Sequence, residues 1–306
     1  MKKRSLLPVL LVLFLSLPTV ALGGSSFDTL VVFGDSLSDN GNLYALTANT
    51  SPDPDYYYQG RFSNGPVWVE YLADASALDC TLVDYAYGGA TTDGASPPGL
   101  IAQVSAYTGS ATLGDKTLFA IWIGANDFLN GSTDYATSAG NIGAALDDLA
   151  SFGAEHILIV NLPDLGSTPR LLGTPGEAGA RALSQAFNAA LAAVVDVFQA
   201  ANPDITVYEF DVYAFLQATA ADPADYGFTN ATEVCPAYYT ADDFDNSAGY
   251  VFWDEIHPTT EAHEVIADQV LAILPEESSD GSSSPCFINS LLTFGDFDAF
   301  TSVFRN

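Results

Sequence analysis

Thr29-Leu30-Val31-Val32-Phe33-Gly34-Asp35-Ser36-Leu37-Ser38-Asp39-Asn40-Gly41-Asn42 passes, at Gly34, from an apolar run to a polar loop punctuated by glycine. A short run rich in β-branched and aromatic residues, closed by such a loop, reads as a strand buried on both faces. Strands of that kind belong to parallel sheets covered by helices. Ser36 then stands just past the strand's carboxyl end, the rim at which open α/β sheets bind their ligands. Taken alone, Ser36 or Ser38 reads as a helix cap, because Ser and Asp commonly accept from the unpaired amides of a first turn.

Working outward, four more runs have the same character, at 81–85, 117–123, 156–161 and 205–210. Apolar residues at helical spacing lie between and after them. Helices are predicted over 135–152, over 176–201 with Leu183, Phe187, Leu191, Val194 and Phe198, and over 259–274 with Ile266, Val270 and Leu274 on one face. Strands alternating with helices predict an α/β fold, a three-layer α/β/α sandwich around a mainly parallel five-stranded sheet. The stretches 49–65 and 223–250 read as irregular loops rich in Tyr, Pro and Asp.

The ends set the compartment. Lys2, Lys3 and Arg4 precede an apolar run at 6–20, and Ala21-Leu22-Gly23 supplies small residues where a signal peptidase cuts. The run is short of the ~20 apolar residues that span a bilayer, and no later stretch is expected to reach that length. Residues 1–23 are therefore expected to be a cleaved signal peptide and 24–275 a single domain, secreted or periplasmic. Residues 276–285 form a Ser-rich linker, and 286–306 a short aromatic tail with no assigned role. No segment has the ~10-residue alternation of a membrane barrel, so self-anchoring is not expected.

Loss of the leader leaves five of eight basic residues against 38 acidic ones, a net charge of −33. Such a surface repels nucleic acid and anionic membranes, and a monomer acting on a small-molecule or lipid ester is the expected arrangement. Screening to ~8–10 Å at physiological salt keeps lipid substrates open. Cys80, Cys235 and Cys286 allow one disulfide in an exported chain, with Cys235–Cys286 the pairing that would pin the tail.

Chemistry concentrates in four short blocks. Besides Gly34-Asp35-Ser36-Leu37 there is Trp253-Asp254-Glu255-Ile256-His257-Pro258 near the other end. A serine hydroxyl needs a base, and the base needs an orienting carboxylate. Of three histidines, His156 opens an apolar strand and His263 lies inside the last helix, where packing explains both. His257 remains, with Asp254 three residues before it. Gly88-Gly89-Ala90 and Gly124-Ala125-Asn126-Asp127 each follow a strand and can supply donors to an oxyanion: a backbone N–H from the glycines and the Asn126 amide. Gly88 and Gly89 are both candidates. Singly, these blocks read as ordinary turns or caps.

Together, in this order, the four blocks resemble the markers of the GDSL family of serine hydrolases, also called SGNH hydrolases. The resemblance covers residues 27–274. It implies Ser36 as nucleophile, His257 as base, Asp254 as its orienter, and an oxyanion hole of the Ser36 N–H, Gly89 N–H and Asn126 amide. Gly89 is preferred over Gly88 because it directly precedes Ala90-Thr91. The extended first block, with Gly60-Arg61-Phe62-Ser63-Asn64-Gly65 and Asn161-Leu162-Pro163-Asp164-Leu165-Gly166, is similar to the bacterial lipase, lecithinase and thermolabile-haemolysin branch. Asn40 departs from it, since that branch more often carries threonine there.

The expected activity is that of a secreted serine esterase or lipase without cofactor or metal, working through an acyl-enzyme, with Asp35 shaping the loop. A polysaccharide O-acetyl esterase or an acyltransferase is the alternative enzyme, and a silent exported binding protein the alternative of another class. An α/β-hydrolase is disfavoured because Ser38 occupies the second glycine of Gly-x-Ser-x-Gly. A metal held by Asp254, His257 and His263, or calcium at Asp242, Asp243 and Asp245, is disfavoured for want of a recognised spacing. The aromatic residues Tyr56, Tyr57, Tyr58, Phe62 and Trp68 either line an acyl pocket or cover the core.

Overall fold

Residue parity sorts the core of this chain. In the strands β1 (Thr29–Gly34), β3 (Thr117–Trp122) and β4 (His156–Val160), odd-numbered residues face one side of the sheet and even-numbered residues the other. Successive side chains of a strand point to opposite faces, and the registers Leu30↔Leu118 and Leu118↔His156 keep parity across the pairs. Val31, Phe33, Phe119, Ile121, Ile157 and Ile159 meet α3 (Leu100–Thr108), α5 (Tyr135–Phe152) and α6 (Glu177–Ala201). Leu30, Val32, Leu118, Ala120, Trp122, Leu158 and Val160 meet α2 (Trp68–Ala73) and α8 (Thr260–Leu271). Burying each large side chain contributes ~1.5–3 kcal/mol, so both faces must be covered. The result is a three-layer α/β/α sandwich.

These relations are seen in a computed structural model that describes residues 26–114, 116–240, 244, 247 and 249–275. The expected signal peptide (1–23), linker and tail (276–306), the Cys235–Cys286 pairing, and Asp242, Asp243 and Asp245 lie outside the described residues in whole or in part. Within them the sheet order is β2-β1-β3-β4-β5, all parallel, with β2 at Thr81–Asp84 and β5 at Thr206–Phe210. From β1 the chain moves to one side for β2 and crosses to the other for β3. The loops leaving β1 and β3 therefore diverge, and the crevice between them is where such sheets bind ligands. Ser36 sits on the first of these loops, and Asn126 in the short helix α4 (Ala125–Leu129) that follows β3.

The five strands and the three long helices fall within a few residues of their expected bounds. Helices α2, α3 and α7 (Val212–Ala221) had no counterpart in the sequence reading. The stretch 223–250, expected to be irregular, holds β6 (Asn230–Val234), which pairs in parallel with β7 (Tyr250–Phe252). The sequence Asn-Ala-Thr-Glu-Val alternates too weakly to announce a strand. Phe228, Ala231, Val251, Phe252 and Ala262 form a small separate core there. By length and composition alone α6 is long and apolar enough to cross a membrane, against the expectation that nothing after the leader would be. Its residues Phe187, Leu191, Val195 and Phe198 are buried on the sheet.

Candidate active site

The turn that carries Ser36 is built by its neighbours. The Gln103 side chain, from α3, accepts from the Gly34 N–H at 2.9 Å and donates to the Gly34 carbonyl at 2.9 Å, fixing the end of β1. The Asp35 carbonyl accepts from Ser38 and Asp39 N–H, and its Oδ1 accepts from Leu37 N–H at 3.0 Å. Asp35 thus shapes the loop, as expected. Burial pushes its carboxyl up to about 7, against the pull of the Leu37 amide and His257. Ser38 is no helix cap: its hydroxyl accepts from the Trp68 indole N–H at 3.0 Å. Asp39 organises the start of α1 (Asn42–Leu46), accepting from Gly41, Asn42 and Leu43 N–H. Ser36 is left without a structural task and keeps 8 % of its surface exposed.

His257 reaches Ser36 from 221 residues away, its Nε2 2.9 Å from Ser36 Oγ. On the other side of the ring, Nδ1 lies 2.6 Å from Asp254 Oδ2. The three-residue spacing works because Asp254 Oδ1 accepts from the N–H groups of Ile256 and His257, both at 2.7 Å, folding the carboxylate back beneath the imidazole. A Trp253 N–H to His257 carbonyl bond closes the loop. Burial pushes the Asp254 carboxyl up, but His257, the Tyr57 hydroxyl and the Ile256 amide outweigh it and hold the group at about 2. It is a fixed negative charge that keeps an N–H at Nδ1 and the lone pair at Nε2 facing serine.

The block Gly60-Arg61-Phe62-Ser63-Asn64-Gly65, which the sequence alone left without a task, braces this loop. Ser63 Oγ donates to the Pro258 carbonyl at 2.9 Å, and Asn64 Oδ1 accepts from Thr260 N–H at 2.9 Å. The Phe62 ring packs 5.0 Å from the His257 ring.

The two candidate glycines differ in what their amides already do. Gly88 N–H donates to Asp39 Oδ2 at 2.7 Å, and a Cβ there would fall 2.1 Å from the Phe62 ring. Its amide is committed and its position closed. Gly89 has φ +78°, is exposed, and a Cβ on it would meet only Pro97 at 3.9 Å. No protein group takes its N–H among the described residues. One amide hydrogen of Asn126 goes to the Ala90 carbonyl at 3.0 Å, which holds the side chain beside the Gly89–Ala90 turn and leaves a second hydrogen to donate. Asp127, buried, accepts from the Thr92 N–H and from the hydroxyls of Thr92 and Ser138, joining the two donor loops to α5.

Ser36, Asn126 and His257 share one cleft whose other walls are mostly apolar: Leu37, Trp122, Leu129, Leu165, Leu216 and Phe252. None of the five aromatic residues singled out from the sequence lines it. Trp68 is core, Phe62 packs on His257, and the Tyr57 hydroxyl donates to Asp254 Oδ2 at 2.6 Å. Pro163 and Leu165 of Asn161-Leu162-Pro163-Asp164-Leu165-Gly166 do line it, on a turn where Asp164 accepts from Arg181 and Gln217. Leu216 and Phe252 gave no signal, since neither α7 nor β7 was foreseen.

The other histidines stand apart. His156 opens β4 among the rings of Phe27 and Tyr208. His263 is fully buried, and neither ring nitrogen has a hydrogen-bond partner. A hydroxyl backed by an imidazole and an ionised carboxylate, beside open donors and an apolar wall, can carry acyl transfer.

Comparison with known proteins agrees with the branch its motifs resemble. The chain is 30% identical to the thermolabile hemolysin of Vibrio parahaemolyticus, over 82% of this chain and 65% of that one, so it spans just under two thirds of that relative's length. It is 24% identical to the phosphatidylcholine-sterol acyltransferase of Aeromonas hydrophila, over 82% of this chain and 91% of the relative. To an acetylesterase of Thermothelomyces thermophilus it is 29% identical, over 79% and 86% of the two chains. With the family model matching residues 30–270, nearly all of the sandwich and every block of the site, the chain belongs to the GDSL-like lipase/acylhydrolase family.

Proposed function

We propose that this chain is an exported serine esterase or lipase that hydrolyses carboxylic esters with an apolar acyl group. The observation that carries the reading is the unbroken line from Ser36 Oγ through His257, 2.9 Å away, to Asp254, 2.6 Å beyond. Ser36 Oγ attacks the ester carbonyl while His257 Nε2 takes its proton. The developing oxyanion lies toward the N–H groups of Ser36 and Gly89 and the Asn126 amide, each donor lowering the barrier by ~3 kcal/mol on the usual mutational scale. The C–O bond to the alcohol breaks and His257 returns the proton to the leaving oxygen. Water then gives a proton to His257 and its oxygen to the acyl carbon, releasing the acid and restoring Ser36. Asp254 stays ionised and holds the imidazole tautomer throughout.

The mostly apolar walls of the cleft favour an acyl chain over a sugar ring, which asks for polar partners. Acyl transfer to another alcohol uses the same first half-reaction, and one relative is named an acyltransferase. Export rests on the leader-like residues 1–23. The test is a rate profile on p-nitrophenyl acetate, butyrate and palmitate, then on phospholipid and acetylated xylan, with Ser36→Ala as control. Rates that rise from acetate to longer chains and vanish in the control are expected. A clear preference for acetylated xylan would instead favour the polysaccharide esterase.

A further inference from the structure

Tyr57 lies on the loop between β1 and α2, 197 residues from Asp254, yet its hydroxyl ends on the carboxylate oxygen that also faces His257 Nδ1, at 2.6 Å in each case. The other oxygen, Oδ1, is taken by two backbone amides. Besides His257, Tyr57 is thus the one side chain on this carboxylate among the described residues. We infer that Tyr57 is a positioning residue of the proposed reaction: its hydroxyl shares the negative charge of Asp254 Oδ2 with the imidazole and so sets the pH at which His257 can act as a base.

Neighbouring rings and a backbone bond fix the position of Tyr57. The Tyr57 ring packs 5.7 Å from Phe62 and 5.8 Å from Tyr238, and meets the His257 ring edge-on at 6.4 Å. The neighbouring Tyr56 carbonyl accepts from the Trp253 indole at 2.9 Å, tying this loop to the His257 loop. A phenol has one proton, and the shorter contact to a charged acceptor claims it. Tyr57 therefore donates to Asp254 at 2.6 Å, and its 3.4 Å contact with the Tyr238 hydroxyl is the weaker of the two. Burial and the Asp254 charge both push the Tyr57 phenol well above its ordinary range, so it remains a donor.

A carboxylate that already accepts a phenol proton attracts an imidazolium less. Removing the phenol hydroxyl strengthens that attraction and keeps the imidazole protonated to higher pH. Other ionisable groups also face this pair. Asp35 lies across the cleft with its carboxyl raised by burial to about 7, and His263 is held by burial at about 3 and stays neutral. Glu255, Arg170 and Tyr238 line the hollow that Tyr57 and Asp254 share. Of these only Tyr238 shares a hydrogen bond with the Tyr57 hydroxyl, a 3.4 Å contact much weaker than the one to Asp254, so the difference between two pH profiles reads chiefly the Tyr57–Asp254 contact.

The inference rests on Ser36, His257 and Asp254 being the reaction centre. Its test is kcat/KM against pH on p-nitrophenyl butyrate for wild type, Y57F and a chain carrying 3-fluorotyrosine at position 57, with the low-field proton resonance of His257 Nδ1–H recorded for each. The rising limb is expected to move up by about half a pH unit or more in Y57F. With the stronger donor fluorotyrosine, which leaves the fold untouched, it moves down, and the resonance moves in both chains. Coincident limbs and an unmoved resonance overturn the inference. A wild type with no Ser36-dependent turnover defeats the underlying reading instead, and the resonance still decides what Tyr57 does.

Discussion

The 2.9 Å contact between Ser36 and His257 is productive only while His257 keeps a proton at Nδ1 facing Asp254 and a free lone pair at Nε2. Stabilisation of the oxyanion is a separate requirement, carried by groups that bond nothing at Ser36 in the resting chain. Asn126→Ala removes one such donor while the Ala90 carbonyl remains able to take a water. We expect kcat on p-nitrophenyl butyrate to fall ~10²–10³-fold with KM little changed, because the bond is made to the oxyanion and not to the ground-state ester. An equal loss spread over KM would place Asn126 in substrate binding instead. At this scale Ser36, His257 and Asp254 were legible, since three histidines and a fixed three-residue spacing leave few ways to assemble a base. Gln103, Asp39 and Tyr57 were not. Their partners lie tens to hundreds of residues away, and a hydrogen bond across such a distance leaves no periodicity in the chain.

Among elements, the loop that carries His257 depends on a segment nearly two hundred residues earlier. Asn64 accepts from Thr260 N–H, at the start of α8, and donates to the Phe244 carbonyl at 2.8 Å. Asn64→Ala strands both groups, and an unpaired buried polar group costs about 1–3 kcal/mol. A lower Tm is expected, with kcat falling more than KM rises as His257 loses its fixed approach to Ser36. An unchanged kcat in a folded variant would show that the brace serves stability alone. The central strands β1, β3 and β4 were legible because both of their faces are buried and their residues are almost all apolar, and the half-buried edge strands β2 and β5 because β-branched and aromatic residues dominate their short runs. The pair β6–β7 was not, because the small core that holds it draws only Ala231 from β6 and Val251 and Phe252 from β7, the rest coming from Phe228 and Ala262 outside the strands. The cleft walls contributed by Leu216 and Phe252 were hidden for the same reason.

For the molecule as a whole, pH acts through groups far from the cleft mouth as well as within it. His263 is buried with both nitrogens unpaired, and burial lowers its pKa from the ordinary 6.5 to about 3. Below pH 6.5 the unfolded chain binds a proton that the folded chain refuses. Its contribution to stability is therefore complete above 6.5 and declines as pH falls toward 3. Asp35, raised to about 7, acts in the opposite sense but equally in both chains, so between pH 7 and 4 the urea midpoint of wild type should lose ground to that of His263→Leu as pH falls; parallel curves would contradict this placement of the charge. Asp254, held at about 2, keeps its stabilising charge over that whole interval and does not blur the comparison. Everything proposed for the cleft requires Ser36 to be the nucleophile and to depend on His257. Mapping the adduct of a fluorophosphonate probe by peptide mass spectrometry tests it most directly. A single adduct on Ser36 in wild type and loss of labelling in His257→Ala are expected; an adduct elsewhere, or ester hydrolysis that survives Ser36→Ala, would overturn the assignment.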